Sequence, residues 1–581
     1  MADAGRHPIC RPAPAAALLA ALACGAGHAS AQGGPTTRDE TPRADSGVPF
    51  DLQGFLRKQL QAGARRIVVP PGRYRVSPTG REHLRLDGLE NVEIVADGVE
   101  MICTQTTRAL TIRRCRNVTV RGLAIDYDPL PFTQGRIVAM ADDRRWLDVE
   151  LFDGYPTEGI EAFKFEIFDP ATDTLRTETY HGIAVEQTGK ARIRVTKTGG
   201  YRYDPTYHLE RVGDVAVIAV GHAPGGSIPH AVYCEQSAGV RLDGVSLYAS
   251  NCFGFFESRC DGTRYLRCRI DRRGPESDLR KRAYRRVRSL NADAFHSKHA
   301  TTGPRIEQCV ARYQGDDAVN ICGSYHMIVG AEGKALRVLA KGEMDIAPGD
   351  PVEVLSYEGR RLPDAVAKAV VPEGAIREEE RAFLARQRMD EGIRTGRFLK
   401  KAYAVTLDRA VEVARGSVIC SANRVGNGFA VRDNTFGFNR SRGILIKASG
   451  GEVSGNRLEG CWGEAIKVAP EFWWLEAGSS SKVRIAGNRI RACRGVGIAV
   501  YAFGGRGDVA PAGAHDDITI ADNTITDSPL PGILVTSTTH LHLARNALDL
   551  SATRKVVPWA IGRFRIGELK PIVLLNTQPS P

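Results

Sequence analysis

The sequence lacks the features that would mark a zinc-binding, disulfide-stabilised or membrane-spanning protein. It has 13 cysteines in 581 residues but no CxxC pair, and eleven remain after Cys10 and Cys24 near the start are set aside. An odd number with this spacing predicts neither a zinc site nor a complete disulfide framework, so we expect most thiols in the core. Beyond the first residues no apolar run approaches the roughly 20 residues of a membrane helix. We therefore expect no membrane span and a soluble mature protein.

The chain also lacks the signature of a nucleic-acid-binding protein. Its formal net charge is +12, but many arginines are scattered singly through predicted strands. No basic stripe interleaved with stacking aromatic residues is present, and such a stripe is what nucleic-acid binding requires. The charge therefore predicts a solvated surface in an arginine-rich composition, and we expect no nucleic-acid partner.

Residues 1–31 have the pattern of a secretory signal peptide. Arg6 and Arg11 precede a short apolar stretch at 13–24, and small residues at 29–31 supply a cleavage site. This order of charge, apolar segment and small residues is typical of exported proteins. The sequence therefore predicts a periplasmic or secreted protein.

Two further expectations concern the same region. Cys24 stands near the end of the apolar stretch, but Ala21 occupies the position where a lipoprotein signal has Leu, so we do not expect lipidation. Residues 32–46 are polar and contain Pro and Gly, which predicts a disordered leader.

Four late segments of the chain repeat one pattern, each counted from an asparagine. A small residue stands nine positions later, Ile stands at ten, and Ile or Val stands at twelve. The asparagines, with a fifth at the end, are Asn434, Asn456, Asn488, Asn523 and Asn546, and their spacings are 22, 32, 35 and 23 residues. Alternation with period two indicates short strands with one inward face. A coil of about 22 residues that keeps its register while loops vary is typical of a solenoid.

These repeats predict an all-β fold, a right-handed parallel β-helix. An amphipathic helix at 52–62 is expected to cover the open first coil. Two stretches break the periodicity and contain alternating strands, which predicts two inserted β-barrel-like subdomains. The predicted organisation is a β-helix N-terminal part with its capping helix at 47–132, an insertion at 133–227, β-helix at 228–324, a second insertion at 325–417, and the C-terminal β-helix with a tail at 418–581.

Acidic residues recur at one position of the repeat in the middle of the chain. Asp293 precedes Asp317 by 24 residues, and both fall at the register position that Arg442 and Glu464 occupy in later coils. Because successive coils are about 4.8 Å apart, we expect these four residues to form one column. Asp316 adjoins the column, and stacked carboxylates repel one another, which raises some of their pKa values.

Polar and aromatic residues accompany this column in the same register. Aromatic faces beside carboxylates and hydroxyl-binding polar groups are typical of a carbohydrate site, and Trp has a flat apolar body that suits a sugar ring. His296 is interpreted as a polar neighbour because no second His or Cys shares its column, and no metal or cofactor is expected. The candidate substrate-binding residues are His296, Asn320, Arg442, Lys447, Glu464, Lys467, Glu471, Trp473 and Trp474.

The spacing of the candidate catalytic residues predicts a mechanism. One axial step with a lateral offset separates Asp293 from Asp316 and Asp317 by roughly 6 to 8 Å. Inverting glycosidases hold their carboxyl groups about 6.5–9.5 Å apart, so that a water fits between them. We therefore expect Asp293 to be the general acid, and Asp316 with Asp317 to hold and deprotonate the water. Both can reach the site only if Gly315 opens a turn or bulge.

At these residues the sequence resembles glycoside hydrolase family 110, the bacterial exo-α-1,3-galactosidases. The resemblance runs through nearly the whole mature chain, and 442–447 and 470–476 are also similar to the family. It implies a β-helix with inserted barrels, Asp293 as acid, and Asp316 and Asp317 as base pair. It further implies release of terminal α-1,3-linked galactose from an oligosaccharide or glycan with inversion and without metal. Branched and linear ends both remain open.

Three alternatives stay open. Polygalacturonases also carry Asn-x-Asp and Gly-Asp-Asp on a β-helix, matched here at 291–293 and 315–317, but their Gly-His-Gly motif is missing and only His326 stands in for it. A calcium-dependent lyase would bind an ion through its carboxylates. The third alternative is a non-catalytic, glycan-binding surface β-helix.

Overall fold

The fold is almost entirely β. A computed structural model describes residues 47–177, 180, 182–198, 201–205, 208–221, 230–556 and 561–578. Its main body is a right-handed parallel β-helix of three parallel sheets, which confirms the predicted fold class. The predicted signal peptide and leader lie outside the described residues. Among the described residues, no helix has the length and apolar character needed to cross a membrane.

The three sheets of the β-helix each take one strand from successive coils. The first sheet has, in order, Val48–Pro49, Gly72–Val76, Val99–Cys103, Ala124–Tyr127, Ser246–Leu247, Arg269–Ile270, Val310–Arg312, Thr435–Gly437, Arg457–Glu459, Arg489–Arg491, Thr524–Thr526 and Ala547–Asp549. The second has Arg66–Val68, Glu90–Val95, Arg116–Arg121, Arg241–Asp243, Arg264–Leu266, Arg305–Glu307, Ala430–Arg432, Glu452–Ser454, Ser481–Ala486, His515–Ala521 and Thr538–Ala544. The third has Glu82–Asp87, Arg108–Arg113, Val232–Glu235, Phe255–Ser258, Phe295–Lys298, Val319–Ser324, Ile444–Ile446, Ile466–Val468, Ile498–Val500, Ile533–Thr536 and Ile572–Leu575.

The predicted capping helix is Leu52–Gln61, with Asp51 as its N-cap. The Asp51 side chain accepts a hydrogen bond from the amide of Gly54, as a good N-cap does. Leu52 and Leu56 are buried in the solenoid core, so the helix covers the first coil. Further helical segments that lie wholly within the described ranges are Glu378–Ala385, Glu391–Arg394 and two single 3₁₀ turns, Pro275–Ser277 and Phe472–Trp474.

The repeat asparagines form a buried ladder inside the β-helix. The side-chain amide of Asn456 donates to Oδ1 of Asn488 at 2.9 Å, and Asn434 donates to Asn456 in the same way. The ladder continues through Asn523 to Asn546. Each asparagine also donates to a backbone carbonyl, so the ladder satisfies turn groups that burial would otherwise leave unpaired.

The first interruption of the solenoid carries an antiparallel six-stranded sheet. Its strands, in order, are Ile160–Phe168, Val215–Val220, Phe132–Met140, Trp146–Leu151, Arg192–Lys197 and Ile183–Gly189. The sheet has its own small core, which includes Ile137, Val149 and Ile193. We call it the first insertion.

The second interruption carries a closed six-stranded barrel, which we call the second insertion. Its strands, in order around the barrel, are His326–Glu332, Ala335–Lys341, Leu399–Leu407, Ala365–Ala375, Pro351–Leu355 and Val418–Ser421. The last strand lies just beyond the predicted end at residue 417, because it pairs with both the first and the fifth strand before the chain returns to the solenoid.

Candidate active site

The third sheet aligns the predicted column of charged residues. Phe295 pairs with Val319, Val319 with Ile444, and Ile444 with Ile466. Two positions before these inward residues stand Asp293, Asp317, Arg442 and Glu464, one in each of four successive coils. The backbone hydrogen bonds between coils also include these positions. The amide of the residue after Asp293 donates to the carbonyl of Asp317, and the same bond links Asp317 to Arg442 and Arg442 to Glu464.

The three predicted catalytic carboxylates converge. One oxygen each of Asp293, Asp316 and Asp317 lies within 4.8 Å of the others. Asp293 and Asp317 are buried, whereas the Asp316 side chain remains 28% exposed. The approach is closer than the predicted 6 to 8 Å, because that prediction used backbone spacing and the side chains lean toward one another across neighbouring coils.

Gly315 permits the turn that brings both acidic residues of the second coil to this edge. A Cβ atom at position 315 would lie 2.8 Å from the carbonyl oxygen of Asn291. Real Cβ atoms do not approach an oxygen so closely, so any other residue would push the two turns apart. Glycine is therefore needed at position 315 because the two backbones approach each other closely there.

Burial raises the pKa of Asp293 well above its ordinary value of 3.8, and the charge of Asp316 raises it further. Arg442 opposes this effect but does not reverse it. The shift therefore favours the neutral form of this carboxyl group, the form that a general acid needs. The sequence predicted the direction from charge repulsion alone, whereas burial has the larger effect.

The carboxyl group of Asp293 is held from two sides. Its Oδ2 lies 2.7 Å from Nδ1 of His296, and its Oδ1 accepts a hydrogen bond from the amide of Asp317 at 3.3 Å. The ring of His296 stacks on Phe253 with centroids 4.5 Å apart. His296, predicted as a polar neighbour, therefore contacts the carboxyl group of Asp293 directly.

Arginines accompany the other two carboxylates. Asp317 accepts from the Arg442 amide at 2.8 Å and pairs with its guanidinium at 3.0 Å. Burial still raises the pKa of Asp317 to about 8 against the effect of Arg442. Asp316 pairs with Arg440 at 3.0 Å, and its carbonyl accepts from Asn439. Arg440 was not predicted from the sequence.

Lys164, in the first insertion, is a second residue that sequence reasoning missed. Its ammonium group is buried and donates hydrogen bonds to the carbonyl oxygens of Asn291 and Gly315. These carbonyls belong to the turns that lead to Asp293 and Asp316. Burial lowers the pKa of Lys164, and the charge of Asp316 opposes that effect. The pattern around Lys164 is that of an ordinary strand, and nothing in it indicated this role.

A buried ion cluster lies on the C-terminal side of the carboxylates. Lys447 is fully buried and contacts Asn320 Oδ1 at 3.1 Å, Glu471 at 3.2 Å and Glu476 at 2.9 Å. Glu471 also pairs with Lys467 at 2.7 Å. Burial alone would raise the pKa of Glu471, but Lys447 and Lys467 lower it, so it is ionised. Four of the predicted substrate-binding residues therefore meet here, together with Glu476, which was not predicted.

The loop after Val468 brings the two glutamates of this cluster back to the sheet. Glu476 and Ala477 pair antiparallel with Ser324 and Gly323, at the end of the strand that follows Asp317. Trp473 and Trp474 lie in this loop and are half-buried. The carbonyl of Trp473 accepts from the amide of Asp390, and that of Trp474 accepts from the ammonium of Lys341. The loop is thereby held between the solenoid and the second insertion.

Glu464 completes the column. Its Oε1 accepts from the hydroxyl of Tyr501 at 3.2 Å. Within the described residues its Oε2 and the Nε of Arg442 have no hydrogen-bond partner, although both atoms are buried. Buried polar atoms without partners are rare in folded proteins, and a water, an ion or a polar ligand can satisfy them.

Carboxylate oxygens in such proximity also resemble the donor set that Ca²⁺ or Mg²⁺ prefers. His296, Cys322 and Glu476 form a second group of ligand-type atoms within 4.8 Å. Sequence reasoning missed Cys322 because it lies two positions along the next strand. In both groups side-chain cations already face the acids: Arg442 and Arg440 at the carboxylates, and Lys447 at Glu476. The negative charge of the carboxylates in both groups is therefore balanced by arginine and lysine side chains.

His326 does not fit the role of the missing polygalacturonase histidine. It is fully buried, its Nε2 lies 2.6 Å from Asp345 Oδ1, and its Nδ1 accepts from the amide of Lys341. Both ring nitrogens are thus engaged inside the second insertion.

Comparisons with known proteins agree with the fold and bear on the chemistry. Residues 393–548 match the family model of the right-handed β-helix region. The chain is 22% identical over 432 residues to alpha-1,3-galactosidase B of Bacteroides thetaiotaomicron, a match that covers 70% of this chain and 64% of that protein. This chain therefore aligns with less than two thirds of that relative's length. The similarity supports a glycoside hydrolase-like β-helix protein.

Solved β-helix structures are more distant. The polygalacturonase of Erwinia carotovora is 12% identical, with a TM-score of 0.38 and coverage of 90% of this chain and 98% of that one. The A-module of mannuronan C-5 epimerase from Azotobacter vinelandii is 10% identical, with a TM-score of 0.37 and coverage of 89% and 97%. At this level of similarity neither structure carries information on activity.

Proposed function

We propose that this protein is an exo-acting glycoside hydrolase that releases terminal α-1,3-linked galactose. The observation that carries the proposal is the convergence of three carboxylates, one of which, Asp293, is buried and has a pKa raised well above its ordinary value. Hydrolysis of a glycosidic bond needs one neutral carboxylic acid and one ionised carboxylate at the same bond. The resemblance to family 110 and the similarity to an alpha-1,3-galactosidase support this linkage and sugar.

The residues divide into two roles in the proposed reaction. Asp293 gives its proton to the glycosidic oxygen as the bond to the anomeric carbon breaks. Asp316 and Asp317 hold a water, which attacks that carbon and gives up its proton to Asp316, the more exposed of the two, because burial raises the pKa of Asp317 to about 8. Arg442 and Arg440 keep the base pair next to positive charge during the step.

We propose inversion of the anomeric centre. Two adjacent carboxylates at successive positions suit the holding of a water between them, and the resemblance implies the same outcome. The oxygens of Asp316 and Asp317 approach Asp293 more closely than is typical of inverting enzymes. The test therefore measures which anomer of galactose is released first.

An exo mode fits the buried ion cluster. Glu471 and Glu476, held by Lys447 and Lys467, line the sheet on one side of the carboxylates. Ionised side chains with fixed positions suit the hydroxyl groups of a single terminal sugar. In the proposed exo mode, the loop that carries them, which pairs with Ser324 and Gly323, blocks a longer chain at that end.

The test is proton NMR of the first sugar released from an α-1,3-galactosyl disaccharide. We expect β-galactose first, and we expect the Asp293→Asn variant to lose at least about a thousandfold of kcat, within the range that acid catalysis contributes. The matched control is Asp261→Asn, which changes an exposed aspartate of the same solenoid.

Three results would overturn the proposal. Cleavage of galacturonan without release of galactose would favour the polygalacturonase-like alternative. Equal behaviour of Asp293→Asn and wild type in every assay would favour a non-catalytic glycan-binding protein. First release of α-galactose would exclude the single-displacement step.

A further inference from the structure

Lys298 lies on the outer face of the third sheet, in the same strand as His296 and five residues after Asp293. Side chains alternate between the two faces of a strand, and Phe295 belongs to the solenoid core. His296 and Lys298 therefore both point outward. Lys298 is 6% exposed, close to the 4% of Asp293 and the 5% of His296. It thus shares the partly enclosed surface of the proposed acid.

The ammonium group of Lys298 has no partner within the parts of the chain that the structure describes. No carboxylate oxygen there lies within 4.0 Å of its Nζ, and the ammonium group makes no hydrogen bond to those residues. A lysine that is more than nine-tenths buried normally has its charge paired, because burial of an unpaired charge is unfavourable. Lys298 is therefore available to a group from outside the chain.

The lysines that surround Lys298 differ from it because they have partners. Lys447 binds Glu476 at 2.9 Å, and Lys341 donates to backbone carbonyls of the loop at 470–477. Burial would raise the pKa of Glu476, but nearby lysines hold it well below its ordinary value. These lysines are Lys447, Lys341 and Lys298. Three ammonium groups thus lie around one carboxylate.

Two acids of the second insertion lie near these lysines but are engaged elsewhere. Asp345 lies 2.6 Å from Nε2 of His326 and 3.4 Å from that of His299. Asp390 accepts a hydrogen bond at 2.7 Å from a backbone amide of the helix that it caps. Neither acid forms an ion pair with Lys298, so the surroundings of this ammonium group remain positively charged.

The coil that carries Lys298 is that of the proposed acid. In a single displacement the base, the anomeric carbon, the departing oxygen and the acid lie in sequence. Asp316 and Asp317 stand one coil after Asp293, so the sugar that keeps the departing oxygen lies at the coil of Asp293. His296, which contacts Asp293 at 2.7 Å, is two positions from Lys298, or about 7 Å along the strand. Lys298 therefore lies beside the leaving sugar.

We propose that Lys298 binds an anionic substituent, a carboxylate or a sulfate ester, on the sugar from which galactose is released. The substrate is then an acidic galactosyl glycan. An ammonium group is a compact cation, and its hydrogen bonds to oxyanions are stronger than those to neutral hydroxyl groups. This inference rests on the proposed function, although binding of the leaving sugar can be measured without hydrolysis.

Isothermal titration calorimetry of the whole chain tests the binding. The probes are galactose, galacturonate and the 2-, 4- and 6-sulfates of galactose. We expect wild type to bind at least one anionic sugar at least about tenfold more tightly than galactose, the effect of one hydrogen bond to a charged group. Lys298→Met removes the charge and is expected to abolish this preference. Lys482→Met, which changes an exposed lysine of the same solenoid, should keep it.

Kinetics with two disaccharides places the effect on the leaving side. One substrate is α-1,3-galactosyl-galactose, and in the other the reducing sugar carries the anionic group that binds best. We expect wild type to have a kcat/KM at least about tenfold higher for the anionic substrate, for the same reason. The ratio should fall to about one in Lys298→Met and stay unchanged in Lys482→Met.

Stability separates a binding role from a structural one. Because Lys298→Met removes a buried charge without a partner, its thermal midpoint should equal or exceed that of wild type. A clear fall of the midpoint would show that Lys298 is paired inside the protein, and would overturn the proposal.

The outcomes distinguish this proposal from the proposed function. If wild type cleaves neither disaccharide but binds an anionic sugar through Lys298, the proposed function fails and the anion site remains. If wild type cleaves both disaccharides with equal kcat/KM, the assignment of Lys298 fails while the function stands. A preference for the anionic substrate that persists in Lys298→Met would also overturn the assignment.

Discussion

The ammonium group of Lys164 lies 2.8 Å from the carbonyl oxygen of Asn291, although 127 residues separate the two in the chain. Lys164 belongs to the first insertion and Asn291 to the turn before Asp293. The same ammonium also binds the carbonyl of Gly315, in the turn before Asp316. One lysine therefore ties together the two turns that carry the catalytic candidates.

We expect Lys164→Met to lower kcat by about ten- to a hundredfold with a much smaller change in KM. The substitution nearly keeps the volume of the side chain but removes its hydrogen bonds to both turns. Small displacements of catalytic groups lower kcat by amounts of this order. Steady-state kinetics across pH measures it, and the acidic limb of the profile should shift to higher pH, because Lys164 lies near Asp316 of the proposed base pair and its positive charge favours the ionised carboxylate.

Lys190→Met is the matched control, since Lys190 is an exposed lysine of the same insertion. A Lys164→Met protein with wild-type kcat and pH profile would show that the lysine has only a packing role.

The raised pKa of Asp293 predicts a pH-dependent difference in stability. Its folded pKa lies above the ordinary 3.8, so the stability from the neutral carboxyl is fully present below 3.8 and is lost as pH rises toward the folded pKa. Asn does not titrate. We therefore expect the free energy of unfolding of Asp293→Asn, relative to that of wild type, to rise as the pH increases above about 4, by up to about 1.4 kcal/mol per pH unit.

Thermal melts of both proteins between pH 4 and pH 8 measure this trend. Asp261→Asn should follow wild type at every pH. A difference between Asp293→Asn and wild type that is constant with pH would mean that Asp293 is ionised in the folded protein.

Removal of Lys447 is expected to destabilise the protein by about 3–5 kcal/mol, because Lys447→Met leaves Glu476 buried without its 2.9 Å partner and weakens the support of Glu471. Chemical denaturation measures the loss. Adding Glu476→Gln to Lys447→Met should recover part of it.

Arg554→Met serves as the comparison, since its exposed ion pair with Asp527 should contribute less than about 1 kcal/mol. Equal losses for Lys447→Met and Arg554→Met would contradict the buried-cluster interpretation.

The asparagine ladder predicts a large cost for a small change. Asn488→Ala removes the acceptor for Asn456 and the donor to Val453 and Asn523. Because the partners stay buried and unpaired, we expect a loss of about 2–4 kcal/mol in unfolding free energy.

Asn423, an exposed asparagine outside the ladder, gives the control, and Asn423→Ala should cost less than about 1 kcal/mol. If the two alanine variants unfold at the same denaturant concentration, the ladder does not support the coils.

EDTA is expected to leave hydrolysis unchanged, because Arg440 and Arg442 already supply positive charge to Asp316 and Asp317. Activity on the disaccharide before and after dialysis against EDTA measures this. A loss of activity that added Ca²⁺ reverses would show that the carboxylate cluster binds a metal ion.

The sequence was sufficient for the solenoid because its information is local and repeated. Apolar residues at period two and the recurrent asparagines determine which side chains face inward in every coil, and one register then aligns Asp293, Asp317, Arg442 and Glu464. The column of Asp293, Asp317, Arg442 and Glu464 could be predicted from that register alone.

What the tertiary structure decided depends on contacts that no periodicity encodes. Lys164 reaches the site from an insertion, and Glu476 reaches Lys447 through a loop that folds back on the sheet. Burial, which raises the pKa of Asp293 more than charge does, exists only after the chain packs. The side-chain approach of the carboxylates likewise follows from rotamers and close turns, which backbone spacing does not specify.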